Sequence, residues 1–331
     1  LTLDSSNSIS NLNAGLVSAG GGLNLSALGD INNVGSTISG KTVQLESVGG
    51  SINNITQAQQ WDINATSRNG NITISGTDVG QTATISATDS LAMRAGQDIN
   101  VTGAAVQSGG SLTMAAGNDI TVSANQVSEG YSQSGFRRVT ATSNSAVTNQ
   151  GSTITAGSNL AIQAGNDLNV IASNFDAGGS ALLTAAHDLN LNAAANSSNT
   201  QNGGSETHRS GVDSTTLSAG DNLTLAAGQD ITSQAAGMAA ENDVTLQAGR
   251  DVNLQAEASV SGSSSHEKKK TVIDESVRQQ GTEIASGGNT TIVAGQDVNA
   301  QAAQVTAQGD IGIGAGRDIN LTTATESDYH Y

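Results

Sequence analysis

Residues Gly110 to Val122 read Gly-Ser-Leu-Thr-Met-Ala-Ala-Gly-Asn-Asp-Ile-Thr-Val, two short alternating runs joined by a small corner. Alternation with period two puts Leu112 and Met114 on one side of the first run, and Ile120 and Val122 on the same side of the second. The unit then returns as Gly165-Asn166-Asp167-Leu168-Asn169-Val170 and Gly228-Gln229-Asp230-Ile231-Thr232. Further copies are Gly249-Arg250-Asp251-Val252-Asn253-Leu254 and Gly316-Arg317-Asp318-Ile319-Asn320-Leu321. A repeat of this kind sets the architecture ahead of every other feature.

The aspartate of each corner fixes the period. Asp98 to Asp119, Asp167 to Asp188, Asp230 to Asp251 and Asp297 to Asp318 are each spaced 21 apart. Within a turn the first apolar position precedes the second by 8, as from Leu112 to Ile120. The rest of the turn holds a third, looser run such as Ala104-Ala105-Val106-Gln107-Ser108. Three short strands and three corners in each period predict an all-β, right-handed parallel β-helix, a solenoid whose turns stack about 4.8 Å apart.

Composition agrees. Proline is absent from all 331 residues, as suits a chain that is nearly all ladder-forming strand. Aromatics are only 2%, too few for a broad two-layer core but enough for a narrow tube filled by Ile, Leu, Val, Ala and Thr. Disorder is the competing reading of such composition, and the strict period argues against it. Cysteine is also absent, so there is no disulfide framework and no thiolate chemistry. A net charge of −17 argues against nucleic acid as a partner. No apolar run reaches the roughly 18 residues of a membrane helix. No signal-peptide pattern opens the chain, which reads as an internal piece of a longer one.

The chain divides into residues 1–88, turns of looser register, and residues 89–331, paired strict turns with insertions, all in one continuous solenoid. In the first part Ile9, Ile31, Ile52 and Ile72 are read as successive turns, and Trp61 as a corner residue in preference to an outward strand position. In the second, the second aspartate of each pair (Asp119, Asp188, Asp251, Asp318) recurs at intervals of 69, 63 and 67. Polar insertions fill the difference at about 127–150, 195–213 and 258–280, with a truncated fourth from 326. Their alternating composition predicts extruded β-hairpins every two turns, aligned on one side of the rod. Roughly 12 to 13 turns would make a rod near 60 Å long.

Gly-x-Asp-(Ile/Val/Leu)-(Asn/Thr) at this strict spacing, with insertions every two turns, resembles filamentous haemagglutinin repeats of exoproteins secreted by two-partner systems. Within that family it is most similar to the second haemagglutinin-repeat region of CdiA-type effectors of contact-dependent growth inhibition. There, Ser/His/Lys-rich segments like Ser263-Ser264-Ser265-His266-Glu267-Lys268-Lys269-Lys270 interrupt paired turns. The resemblance covers roughly residues 20 to 331. It implies export through an outer-membrane β-barrel partner, folding outside the cell, location on the bacterial surface, and a part in carrying a toxin across the target outer membrane.

Two groups of residues are candidates for special roles. The corner aspartates Asp98, Asp119, Asp167, Asp188, Asp230, Asp251, Asp297 and Asp318 form a column, expected to accept bonds from backbone N–H groups of their own corners. Calcium is the alternative, but the Gly-Gly-x-Gly-x-Asp nonapeptide of calcium-binding β-helices is missing. The second group lies in the insertions: Tyr131, Phe136, Arg137 and Arg138, then His208 and Arg209, then His266, Lys268, Lys269 and Lys270. On an acidic rod these read either as solvated hairpin tips or as a recognition ridge facing a cell surface or receptor. No histidine pair has a zinc spacing, and no cofactor is expected. No nucleophile–base–orienter grouping stands out, so the chain is read as no enzyme. The expected function is a rigid delivery segment, with an adhesin that binds a receptor or glycan through its hairpins as the alternative.

Overall fold

The computed structural model describes residues 1–67, 70–134 and 140–331. Its described residues are organised as strands in three sheets and contain no helix. Each turn of the rod contributes one strand to an eleven-stranded parallel sheet and further strands to a nineteen-stranded one that forms the other two sides. Pairing follows the sequence period: Leu112 lies beside Leu91, and Ile120 beside Ile99. Eleven strands in the smaller sheet mean eleven turns, about 50 Å of rod. That is fewer than the spacing predicted, because part of the N-terminal region leaves the rod altogether.

The interior is a set of side-chain columns. One runs Ile31, Ile52, Ile99, Ile120, Leu168, Leu189, Ile231, Val252 and Val298, all buried. A second runs Leu25, Leu45, Met93, Met114, Ile162, Leu183, Leu225, Leu246 and Ile292. Truncating one such side chain to alanine costs about 2–5 kcal/mol. Near the N-terminus one inward column is polar, a feature absent from the sequence reading. Asn11 Nδ2 donates to Asn33 Oδ1 (3.0 Å), and Asn33 Nδ2 to Asn54 Oδ1 (2.8 Å). Further amide bonds to backbone carbonyls, such as Asn54 to Ala105 O at 2.9 Å, offset the cost of burying them.

The corner glycine has a steric cause. A Cβ on Gly117 would lie 2.3 Å from the carbonyl oxygen of Gly96, and one on Gly249 2.1 Å from that of Gly228. Each turn thus settles onto the corner carbonyl of its neighbour. At the corner after the eleven-stranded sheet, turns alternate from Gly35 onward. One closes tightly on a residue in the left-handed region, such as Gly103, Ala172, Ala235 or Ala302. The next extrudes a hairpin from the same corner.

Those hairpins pair strands Ala58–Ser67 with Gly70–Val79, Asn125–Gln133 with Thr142–Gln150, Ala194–Asn202 with Ser205–Asp213, and Glu257–Glu267 with Lys270–Gln280. They do more than align. Each bonds to the next, edge to edge, and with Ser327–His330 they make one nine-stranded antiparallel sheet along the rod. The two-turn period follows. A hairpin is two strands wide, and two turns rise by the same two strand spacings, about 9.6 Å. One hairpin per turn would not fit, and one per three turns would leave gaps.

The first hairpin corrects the reading of residues 58–79. Ile72 is not on a turn: it pairs with Ala65 and Gln133 inside the hairpin sheet. Ile99, not Ile72, stacks on Ile52. Trp61 is not at a corner but in mid-strand opposite Gly76, and Ile63, two residues on along the same face, is exposed.

Candidate recognition face and corner ladder

The aspartate column is a hydrogen-bond ladder between turns. The backbone N–H of Asp119 donates to Asp98 Oδ1 (3.2 Å), Asp167 N–H to Asp119 Oδ1 (3.0 Å), and Asp188 N–H to Asp167 Oδ1 (3.1 Å). The series continues from Asp230 to Asp188, Asp251 to Asp230, Asp297 to Asp251 and Asp318 to Asp297, at 3.0–3.2 Å. The accepted N–H therefore belongs to the adjacent turn, and not to the aspartate's own corner as expected. The ladder also reaches further back, through Ser51 to Asp30, whose Oδ1 accepts the Ser51 N–H at 2.9 Å.

Where the variable residue of Gly-x-Asp is asparagine or arginine, it tends the same carboxylate. Asn118 Nδ2 donates to Asp98 Oδ1 and Asn166 Nδ2 to Asp119 Oδ1, each at 2.8 Å. Arg250 makes a forked contact to Asp230, and Arg317 does the same to Asp297. The Arg250 hydrogen bond holds the Asp230 carboxyl below its ordinary range, and Arg317 does so for Asp297. Among the described residues no group of three or more His, Cys, Asp or Glu is placed to hold a metal ion.

The insertion residues are dispersed over the hairpin sheet. Phe136, Arg137 and Arg138 lie outside the described residues. Tyr131 is in mid-strand opposite Ile74 and Asn144, and its hydroxyl donates to Gln133 Oε1 (2.9 Å). His208 stands opposite Gly262, and a Cβ there would meet its ring at 2.3 Å. His266 lies farther along the strand that carries Gly262, about 13 Å away, so the two imidazoles do not meet. Arg209, next to His208 in the strand, is on the other face of the sheet. Lys268 and Lys269 form the exposed tip of the fourth hairpin, and Lys270 begins its return strand. The described ones among the sequence-selected residues thus occupy both faces and one tip, not a single ridge.

A cluster that sequence reasoning missed is at the N-terminal end of this sheet. Trp61, Ile74, Tyr131, Asp78, Glu129 and Asn144 line a depression of about 370 Å³. The indole lies over Gly76, where a Cβ would come within 2.6 Å of the ring, and Nε1 donates to Asp78 Oδ1 (3.1 Å). A usable signal was the long step from Ile52 to Ile99, which nearly equals the step from Ile120 to Leu168 across the next hairpin.

Hemagglutinin repeats match residues 127–212, 197–275 and 259–331, and a second haemagglutinin-repeat description matches 1–76 and 62–126. A protein called 16S rRNA endonuclease CdiA, from Enterobacter cloacae subsp. cloacae, is 58% identical over the whole chain. The chain belongs to the haemagglutinin-repeat family, in its CdiA-type branch. A tRNA nuclease CdiA from Escherichia coli O6:K15:H31 is 59% identical over 239 residues, 72% of this chain, and another from an Escherichia coli strain is 43% identical over all 331. The chain spans only 7–8% of the length of these relatives. No solved structure matches. The three matches begin at 127, 197 and 259, and each runs from one hairpin through two turns to the next extruded strand, so the family's unit of repetition follows the two-turn unit of the fold.

Proposed function

We propose that this haemagglutinin-repeat segment is a rigid extracellular rod within a CdiA-type toxin-delivery exoprotein, exported through an outer-membrane β-barrel partner. The observation that carries it is the unbroken stack of eleven turns, each bonded to the last through backbone ladders and the aspartate column. A stack of this kind folds vectorially, since each finished turn offers a strand edge to the chain that emerges next. That suits a polypeptide threaded unfolded through a pore. The nuclease activities in the relatives' names are theirs, and this segment contributes reach and display, not catalysis. No helix among its described residues is long and apolar enough to cross a membrane, so any contact with a target membrane is made by strands or surface.

A second reading, an adhesin, is favoured by the hairpin sheet, a broad face that a plain spacer does not need. Target-cell binding by the full chain separates the two. Circular dichroism would check that a version with residues 58–79, 127–150, 195–213 and 258–280 replaced by short turns keeps a β-rich fold. Binding lost only in the trimmed rod supports recognition by the hairpins. Absence of binding by either leaves reach as the segment's task.

A further inference from the structure

We infer that the free edge of strand Ala58–Ser67 is a docking site for an extended strand of another polypeptide, which it takes up by β-augmentation. The proposal goes beyond the rod's role in delivery and does not depend on it.

Every internal seam of the hairpin sheet joins the second strand of one hairpin to the first strand of the next. Strand Ala58–Ser67 is a first strand with no such neighbour among the described residues. The two turns on its N-terminal side close tightly at Asn13–Gly15 and at Gly35–Ser36, and extrude nothing. A space about one hairpin wide, near 9.6 Å, is therefore open beside it.

The edge offers backbone groups in a defined order. Gly80 N–H donates to Gln57 O at 2.8 Å, and on the far side of the return strand Ser134 N–H donates to Asn71 O at 3.0 Å. Antiparallel pairs alternate, so Gln59, Trp61 and Ile63 exchange bonds with the return strand. Gln60, Asp62 and Asn64 then direct N–H and C=O toward the open side. Only another extended polypeptide presents matching donors and acceptors at that spacing, which excludes a glycan or a lipid headgroup as the ligand for the edge.

Side chains specify the guest further. On one face the edge strand exposes Trp61 and Ile63, 37% and 58% accessible, beside Ile74 and Tyr131. Cross-strand cover for Gly76 explains one side of the indole, just as His208 covers Gly262, but it does not explain the exposed Ile63 next to it. Asp62 marks the other face, and Asp78 and Glu129 line the first. Natural sheets blunt long edges with lysine, proline or a bulge. This edge, ten residues long, contains no lysine or proline. The guest is thus a strand with apolar residues on the Trp61 side and basic residues near the carboxylates. A second copy of a chain carrying −17 is a poor fit for the same edge.

Trp61 is the sole tryptophan, so its emission reports directly on occupancy. The probe is an acetylated ten-residue peptide of alternating valine and lysine, titrated into the full chain. A saturable blue shift is expected. It should weaken at least tenfold in Gln60→Pro, which removes one outward N–H and leaves the pairing with the return strand intact. It should also vanish with a peptide N-methylated at alternate residues, a control that needs no variant to fold. Equal shifts from the methylated peptide, or undiminished binding by Gln60→Pro, would overturn the inference. So would dimers in sedimentation that Gln60→Pro dissociates, because the guest would then be a second copy.

Discussion

The backbone N–H of Asp230 donates to Oδ1 of Asp188 at 3.0 Å, across a turn that also carries the third hairpin. An ion-pair rationale for the aspartate column therefore fails at this position, since what recurs from turn to turn is an acceptor oxygen. The charge is a cost. Two carboxylates one turn apart, about 4.8 Å, repel by roughly 1 kcal/mol in a water-like medium.

Asp188→Ala should leave the Asp230 N–H without its acceptor and lower stability by about 1–3 kcal/mol. Asp188→Asn keeps an oxygen in place and removes one charge, so it should be neutral or slightly stabilising. Urea midpoints of the two variants decide the matter. Any advantage of the asparagine form should shrink as salt rises from low to about 0.5 M, since salt already screens the repulsion.

Arginine at the variable corner position adds a pH dependence. The hydrogen bonds from Arg250 and Arg317 lower the folded-state pKa of Asp230 and Asp297 below the ordinary 3.8. A depressed carboxylate pKa stabilises the fold above its unfolded value, and that contribution disappears as pH falls through the folded value. The rod should thus be unaffected between about pH 5 and 7 and lose this increment below about pH 4. Arg250→Met with Arg317→Met should flatten that acid limb of the urea-midpoint profile. A profile with an unchanged acid slope would remove the arginines from the account.

Much of this was legible in the sequence because a parallel solenoid is a local code. Gly117, Asn118 and Asp119 mark a corner whatever the rest of the chain does, and Leu112 and Ile120 point inward by alternation alone. The pairing of hairpins was less visible, since strands such as Ala194–Asn202 have no apolar face to betray a partner. The first hairpin is hidden for a related reason. Ile52 and Ile72 are separated by almost one full period, close enough to pass as neighbouring turns, although Ile72 is bonded to Ala65 and Gln133. The tie of Asp98 to the next turn was also out of reach, because spacing does not say whether an oxygen meets an N–H of its own corner or of the neighbouring one.

Edge pairing between hairpins makes each one dependent on its neighbours, and a single deletion tests that. Removing residues 194–214 joins Ala193 to Thr215 and recreates the tight corner seen at Ala172–Ser173. Ala193 then takes the place of Ala172, and alanine already occupies the left-handed region at positions 172, 235 and 302. The rod should therefore stay folded. The sheet should not heal, because the gap is two strands wide. On one side Gly203 N–H donates to Ala141 O, and on the other His266 N–H donates to Gly204 O. By alternation the amides of Ser143, Ser145 and Val147, and of Val260, Gly262 and Ser264, point into the lost hairpin. Hydrogen exchange at these six should accelerate at least tenfold, while Asn144 and Ser261, bonded within their own hairpins, change far less. Uniform acceleration along all the hairpins would mean that the sheet is one cooperative unit, and no acceleration would mean that the seams hold nothing.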